Sequence, residues 1–308
     1  MSGNGRKLLE ERARLLALVR AFFDARGFLE VETPLLVPSP GLDVHLAAFE
    51  VNTTAGARFL STSPEYQMKR LVAEGYSAIF QIAKAFRKDE LGERHNSEFT
   101  ILEWYRANAS VEDTMRDTEQ LVARLTGGEV DVDGRRHDAS PPFRRMTVLE
   151  AYSEFTSQSS EETLEMAAHD EDRFFRLLID RIEPGLAGLE AAVFLTEYPT
   201  SQASLARTKP GDPRVAERFE LYVAGVELCN GFGELTDPVQ QRARFLRDLE
   251  VRALRGLPAY PVDEHFLRAL EQGLPPCSGN AVGIDRLVAL ACGTREIRRV
   301  MAFADDEL

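Results

Sequence analysis

No stretch constrains the fold of this chain as tightly as residues 82–105. Ile82 to Phe86 and Phe99 to Tyr105 alternate in side-chain character, and a charged run from Arg87 to Asn96 lies between them. A two-residue period belongs to strands, whose successive side chains point to opposite faces. The segment therefore reads as a hairpin, with Phe99, Ile101, Glu103 and Tyr105 on one face of its second strand. The first strand ends by projecting Arg87, and the loop carries Arg94, His95 and Asn96. A guanidinium suited to a phosphate, an aromatic ring suited to a base and carboxylates suited to an ammonium thus fall within one hairpin.

The remaining pattern predicts an α+β fold around it. Leu8, Leu9, Leu15, Leu16, Val19, Phe22 and Phe23 recur at helical spacing, and Gly27 supplies a stop. Phe28 to Leu36 reads as a strand ended by Pro34, with a loop through Pro38, Pro40 and Gly41. Residues 48–51 and 58–62 suggest a second hairpin around Thr53-Thr54-Ala55-Gly56, and Ser63-Pro64-Glu65 opens a helix. Helices are expected at 111–125, 147–155, 161–182, 238–254 and 263–272, and strands at 192–198 and 218–228. The polar run 126–142 reads as a surface excursion, and a glycine-bearing strand from Ser278 feeds a last helix. Strands and helices do not alternate as βαβ units, so the expected sheet is mainly antiparallel and flanked by helices. With 308 residues, 44% hydrophobic, and no repeat or long linker, the chain is expected to form one domain over 1–308.

Charge and apolar content narrow the function. Against 37 basic residues stand 50 acidic ones, and a net charge of −13 disfavours nonspecific attraction to a polyphosphate. No apolar run approaches the roughly 20 residues needed to span a bilayer. The N-terminus leads into an amphipathic segment and not a signal core, so a cytoplasmic location without membrane association is expected. Cys229, Cys277 and Cys292 have neither metal-ligand spacing nor the number for a disulfide framework, and read as reduced packing residues.

Arg87 follows an apolar strand, with Asp89 on the same face if the strand continues. Near the C-terminus, Gly283 permits close backbone approach to a ligand, and Arg286 falls in the first turn of a helix, where free N–H groups favour anions. Glu227 and Glu234 are seven residues apart, which puts them on opposite faces of a regular strand. A β-bulge at Gly231 or Gly233 would bring them to one face, where the pair suggests Mg²⁺ bridged to nucleotide phosphates. Glu103 and Tyr105 would complete an acidic pocket for an organic ammonium. Each residue also has an ordinary reading: Phe99 as core, Arg286 as a surface ion pair, the two glutamates as a solvated edge.

Together these strings resemble a family. Phe28 to Leu36 resembles the proline-ending first motif of class II aminoacyl-tRNA synthetases. Phe86-Arg87-Lys88-Asp89 with Glu98-Phe99 is similar to the second motif, and Gly283-Ile-Asp-Arg286 to the third. Glu227-Leu-Cys-Asn230-Gly-Phe-Gly-Glu234 resembles the lysyl branch. Thr62 to Leu71, Tyr198 to Ala206 and Ser278-Gly-Asn-Ala281-Val-Gly283 are similar to the paralogues of that branch that modify elongation factor P. The resemblance implies that Arg87 holds an α-phosphate, Arg286 a terminal phosphate, and Phe99 stacks on adenine. It places Asp89, His95, Asn96, Leu228 and Gly283 in the same ATP site, and Glu227 and Glu234 on magnesium. Ser63, Pro64 and Glu65 would meet the substrate's reactive-end amine, and Glu103, Tyr105 and Glu234 its distal ammonium, with Asn230 and Ala281 among them. Arg87, Arg286 and Glu227 are the expected catalytic residues. Where the family has glutamate two residues after the motif arginine, this chain has Asp89, one methylene shorter.

The activity so implied is an AMP-forming ligase that takes ATP as substrate with Mg²⁺, activates (R)-β-lysine or lysine, and passes it to a lysine of elongation factor P. True lysyl synthetases carry an anticodon-binding barrel ahead of the first motif. Here little precedes Phe28, so tRNA is not the expected acceptor. The element bearing Pro34 matches the one that packs across a two-fold axis in the family, which implies a homodimer. Two other readings stay open: a free amino-acid ligase of the asparagine-synthetase kind, which needs a cationic pocket, and a non-catalytic regulator, which would have lost phosphate arginines or metal carboxylates.

Overall fold

Leu102 and Trp104 point to one side of their strand and Glu103 and Tyr105 to the other, and this alternation divides the molecule into a core and a site. The computed structural model describes residues 3–54 and 56–308; Ala55, in the turn of the second expected hairpin, lies outside them. Eight strands form one sheet: β1 (Leu29–Glu30), β2 (Ala78–Phe86), β3 (Glu98–Ala107), β4 (Arg144–Thr147), β5 (Val193–Thr196), β6 (Arg218–Val223), β7 (Val226–Gly233) and β8 (Cys277–Gly283). They lie in the order β1-β2-β3-β8-β7-β6-β5-β4. Only the outer pairs β1–β2 and β4–β5 are parallel, and the rest are antiparallel as expected.

The helices are α1 (Gly3–Asp24), α2 (Glu65–Ala73), α3 (Val111–Thr126), α4 (Val148–Thr156), α5 (Ser160–His169), α6 (Glu171–Leu177), α7 (Glu183–Ala187), α8 (Pro238–Leu254), α9 (Glu264–Gly273) and α10 (Ile284–Ala291). α1, α3 and α10 cover one face of the sheet, where Phe23, Leu121 and Leu287 join Trp104, Phe219 and Val282 in a core with no solvent access. Each such side chain contributes about 1.5–3 kcal/mol through burial. The other face is flanked by α2, α8 and α9 on one side and by the cap α4–α7 on the other, each with its own apolar cluster. The site lies between them.

Four expectations are corrected. The 28–36 strand pairs with β2 only at Leu29–Glu30; past Pro34 the chain turns, and Leu36–Val37 joins the small sheet of Glu50–Thr53 and Gly56–Leu60. The helix expected at 161–182 breaks at Asp170, whose carboxylate accepts the Arg173 N–H and starts α6; a π-helical turn, Leu178–Ile182, leads into α7. The polar excursion 126–142 contains a hairpin, Glu129–Val132 with Arg135–Asp138, that buries Val130 and Val132. Its turn is Asp133-Gly134, both with positive φ, a tight-hairpin pair. The run 218–228 is two strands joined by Ala224-Gly225, again both with positive φ.

The bulge is also elsewhere. Leu221 pairs with Cys229 and Tyr222 with Glu227, so Leu228 is the extra residue in β7. It turns the phase: Val226, Leu228 and Cys229 go to the core, while Glu227, Asn230 and Phe232 face the site. Gly231 and Gly233 serve packing instead, since a Cβ there would strike Phe219 or Glu217.

Candidate active site

A cavity of about 850 Å³ opens on the polar face of the sheet. Its nucleotide-suited half begins where β2 ends. The Arg87 N–H bonds to Ser97 O at 2.9 Å, closing the hairpin and aiming the side chain along the cavity wall. The guanidinium lies 4.9 Å from the Phe99 ring centroid, its nearest carboxylate is Glu90 at 3.8 Å, and its buried Nε has no partner. A buried, unspent guanidinium donor beside a cavity is what an anion would satisfy.

The strand does not continue to Asp89. That residue has φ 67° and is exposed, so it leaves the cavity wall, and Glu90 takes the place expected for it. Arg286, in the first turn of α10, donates to the carbonyls of Arg94 (3.2 Å) and Glu227 (3.0 Å) and meets His95 Nε2 at 2.7 Å. Burial, with Arg286 next in effect, pushes the His95 pKa below the usual imidazole value, so the ring is a neutral acceptor there. Gly283 has an ordinary φ of −69°, and a Cβ on it would meet Arg286 Cδ at 3.5 Å, an ordinary contact, so neither the backbone nor that neighbour requires glycine there. Asn96 spends its amide on Glu98 O (2.7 Å) and on the Asp305 N–H (2.9 Å), tying the C-terminal segment to the loop. Leu228, the bulged residue, sends its side chain to the core but still borders the cavity.

The other half is acidic. Glu103 has no solvent access and accepts from Ser63 Oγ (2.5 Å) and Tyr105 Oη (3.1 Å). Burial first, then the neighbouring Glu65, pushes its pKa up to about 8. Asn230 Oδ1 borders the cavity, buried and without a partner, and Ala281 is opposite it on β8.

Behind this floor the structure holds an ammonium of its own. Lys69 Nζ is 2.5 Å from both Glu65 and Glu234, fully enclosed. Burial works against its charge, but Glu234 and Glu65 outweigh it and raise its pKa above the lysine range. Glu234 and Tyr105 therefore stand around Lys69 and outside the cavity wall, leaving Ser63, Glu65, Glu103 and Asn230 to meet a ligand. Pro64 is also outside the wall; it is the N-cap of α2 and its carbonyl accepts the Met68 N–H.

Nor do Glu227 and Glu234 share one ion. They are separated by most of β7, about 20 Å at roughly 3.3 Å per residue, too far for two glutamate side chains to converge. The carboxylates near Glu227 are Glu220 and Glu183. Burial pushes Glu183 up to about 7, with Glu227 and Glu220 adding to it. Glu220 is raised by burial and by Glu227, although Arg218, Tyr198 and Tyr222 all donate to it. Sequence reasoning missed Glu220 and Lys69. Glu220 alternates with Arg218 and Tyr222 on the site face, and Lys69 is one helical turn beyond Glu65, the spacing of a side-chain ion pair.

The sequence also matches known proteins. A family model described as tRNA synthetases class II (D, K and N) matches residues 2–307. The elongation factor P–(R)-β-lysine ligases of Klebsiella pneumoniae, Salmonella dublin and Salmonella paratyphi B are each 40% identical to the chain, over 97% of it and 95% of their own length.

Proposed function

The chain belongs to the class II tRNA synthetases of the D, K and N type, and from that premise we propose that it activates (R)-β-lysine, or lysine, as an adenylate and transfers it to a lysine side chain of elongation factor P. One observation carries the reading: a single cavity has a phosphate end, with the unspent Arg87 Nε–H, and an ammonium end, with Asn230 Oδ1 beside Glu65 and Glu103. ATP is the second substrate. The amino acid's carboxylate attacks the α-phosphate, pyrophosphate leaves, and the acceptor's free amine attacks the mixed anhydride and releases AMP. Arg87 meets the charge that builds on the α-phosphate oxygens, Arg286 serves the terminal phosphate, and Phe99 carries the adenine.

Magnesium, when bound, would neutralise phosphate charge, and Glu227 with Glu220 would hold it. Glu227 raises the pKa of both Glu183 and Glu220, a repulsion that a cation would relieve, although Arg94, Arg218 and Arg286 already lie within 4.0 Å of these three carboxylates. Among the described residues no three His, Cys, Asp or Glu side chains are grouped to hold a metal ion, so phosphate oxygens and water would complete the shell. The acidic floor disfavours a ligase that must bind a substrate carboxylate there, and the retained arginines disfavour a non-catalytic regulator.

The chain acts as one catalytic unit and pairs as a homodimer through the segment that carries Pro34, where Leu29, Leu35 and Leu36 are exposed. A monomer mass by light scattering at micromolar concentration would remove the dimer alone. Among the described residues no helix is long and apolar enough to cross a membrane. The deciding assay is pyrophosphate exchange with each lysine isomer, followed by incubation of enzyme, ATP, Mg²⁺ and labelled amino acid with either elongation factor P or total tRNA. Label on the factor's lysine is expected; efficient labelling of tRNA with an unmodified factor would overturn the assignment.

A further inference from the structure

α8 carries Arg244, Phe245, Asp248 and Arg252 within about a third of its circumference, and Phe245 and Asp248 of this face line the cavity. The two arginines are almost wholly enclosed, Arg244 at 7% and Arg252 at 1% exposure, and neither forms an ion pair with a carboxylate among the described residues. A buried cation without a counter-ion is costly unless its donors are satisfied. Here the acceptors are backbone carbonyls, five of the six in two loops and the sixth, Pro258, just past the end of α8. Arg252 donates to Asp43 O (2.7 Å) and Leu46 O (3.2 Å), and to Pro258 O (3.0 Å). Arg244 donates to Ala203 O (2.6 Å), Ser204 O (3.2 Å) and Ala206 O (2.6 Å).

Both loops wall the cavity, and both attach to its acidic half. Residues 43–46 follow Pro40, whose carbonyl accepts from Thr62 Oγ1 at 2.6 Å, just before Ser63 and Glu65. Residues 203–206 are bridged to the end of β7, where the Leu235 N–H reaches Leu205 O (3.0 Å) and Ala206 pairs with Glu234. Between the two arginines, Asp248 accepts from Ser204 Oγ (2.6 Å) and borders the cavity.

We propose that Arg244 and Arg252 are positioning residues: with α8 as a spacer of about 12 Å between them, they fix the separation of the two loops that wall the acidic half, and so govern how tightly the lysine-type substrate is held. The inference rests on the function proposed above. Among the described residues Phe99 and Arg286 make no hydrogen bond to either loop, and the phosphate hairpin meets the first loop through one backbone bond, Lys88 N–H to Ala47 O at 2.8 Å, so ATP binding should respond much less than binding of the lysine isomer.

The test uses Arg244→Lys and Arg252→Lys in the full chain, which keep the charge but replace a planar fork by a single head. Hydrogen exchange should quicken about tenfold or more at residues 43–48 in R252K and at 203–206 in R244K, each sparing the other loop. In pyrophosphate exchange the KM for the lysine isomer should rise about tenfold, with kcat and the KM for ATP changed less than about threefold. Unchanged exchange at both loops, equal rises in both KM values, or a fall in kcat alone would overturn the proposal. If the unaltered enzyme accepts no lysine isomer, the proposed function falls and the exchange measurement still decides the positioning role. Should R252K fail to fold, Tyr260→Phe loosens the same loop by removing the hydroxyl that accepts the Ala48 N–H at 2.8 Å, and the same readouts apply.

Discussion

Replacing Glu103 by glutamine keeps the shape of the acidic floor and removes a charge, and the consequence depends on pH. The carboxyl of the empty enzyme has its pKa pushed to about 8, burial being the main cause and Glu65 the next. An ammonium ligand needs it ionised, so below that value each pH unit adds about 1.4 kcal/mol to binding, or about tenfold in affinity. The unaltered enzyme should therefore show a KM for the lysine isomer that falls about tenfold per unit between about pH 6 and pH 8 and then levels. Breaking a buried ion pair costs about 3–5 kcal/mol. Near pH 7 the glutamine variant is spared about 1.4 kcal/mol of ionisation, leaving a net loss of about 1.6–3.6 kcal/mol, or roughly 15- to 400-fold in KM. E103Q should also lose the pH slope, because glutamine does not titrate. Stability supplies a second readout. A carboxyl whose folded pKa is raised keeps its full contribution below its ordinary pKa and loses it as pH rises toward about 8, so the unliganded enzyme should weaken over that window, and E103Q should weaken less, the remaining slope coming from Glu183, Glu234 and Asp248, which burial raises in the same direction. Pyrophosphate exchange and thermal unfolding across that range measure both. A KM that ignores pH in the unaltered enzyme, or an equal slope in E103Q, would refute the reasoning.

Arg87→Ala should reduce adenylate formation by a hundredfold or more, since loss of one preorganised contact to developing charge costs about 3 kcal/mol, whereas Arg136→Ala, with its side chain 73% exposed, should leave it unchanged. Near-normal exchange in R87A would mean that the phosphate clamp is misplaced. Gly279→Ala would drive a Cβ into the Tyr105 ring and toward Glu234 and should cost about 1–3 kcal/mol by chemical denaturation. His137 is buried with neither ring nitrogen partnered, and burial, then Arg295, lowers its pKa. Its contribution is complete above about pH 6.5 and is lost as pH falls below that, so His137→Leu should flatten the acid side of the stability profile.

The hairpin that carries Arg87, Phe99 and Glu103 was readable because a period of two assigns each side chain to a face without knowledge of the rest of the fold. Leu228 was not readable, because a bulge that leaves no residue in the left-handed region needs no glycine, whereas the glycines nearby, Gly231 and Gly233, are small for packing reasons. Asp133-Gly134 did signal its hairpin, but the charged residues around it belong to the exposed face and hid the buried Val130 and Val132. Lys69 was legible as a helical neighbour of Glu65 and not as its enclosed partner, since such pairs commonly lie on surfaces; only tertiary packing brings Glu234 to the same nitrogen. Asp89 fell out of the site because the strand stops at Phe86, an event governed by the loop's pairing and not by the strand's own pattern.

The bulge at Leu228 also behaves as a gauge of ligand length. Deleting Leu228 would restore a regular strand and leave Glu227 facing the cavity, but it would draw that residue about 3.3 Å closer to Asn230. The carbonyl and carboxylate that Arg286 contacts would move with it. A molecule reaching from the phosphate end to the ammonium end would then meet a shorter bed. Removing a residue between Asn230 and Glu234, which share a face, would instead put them on opposite faces. Changes of chain length in the cap or in the surface loops leave the dimension of the cavity alone, whereas one residue gained or lost in β7 rewrites it.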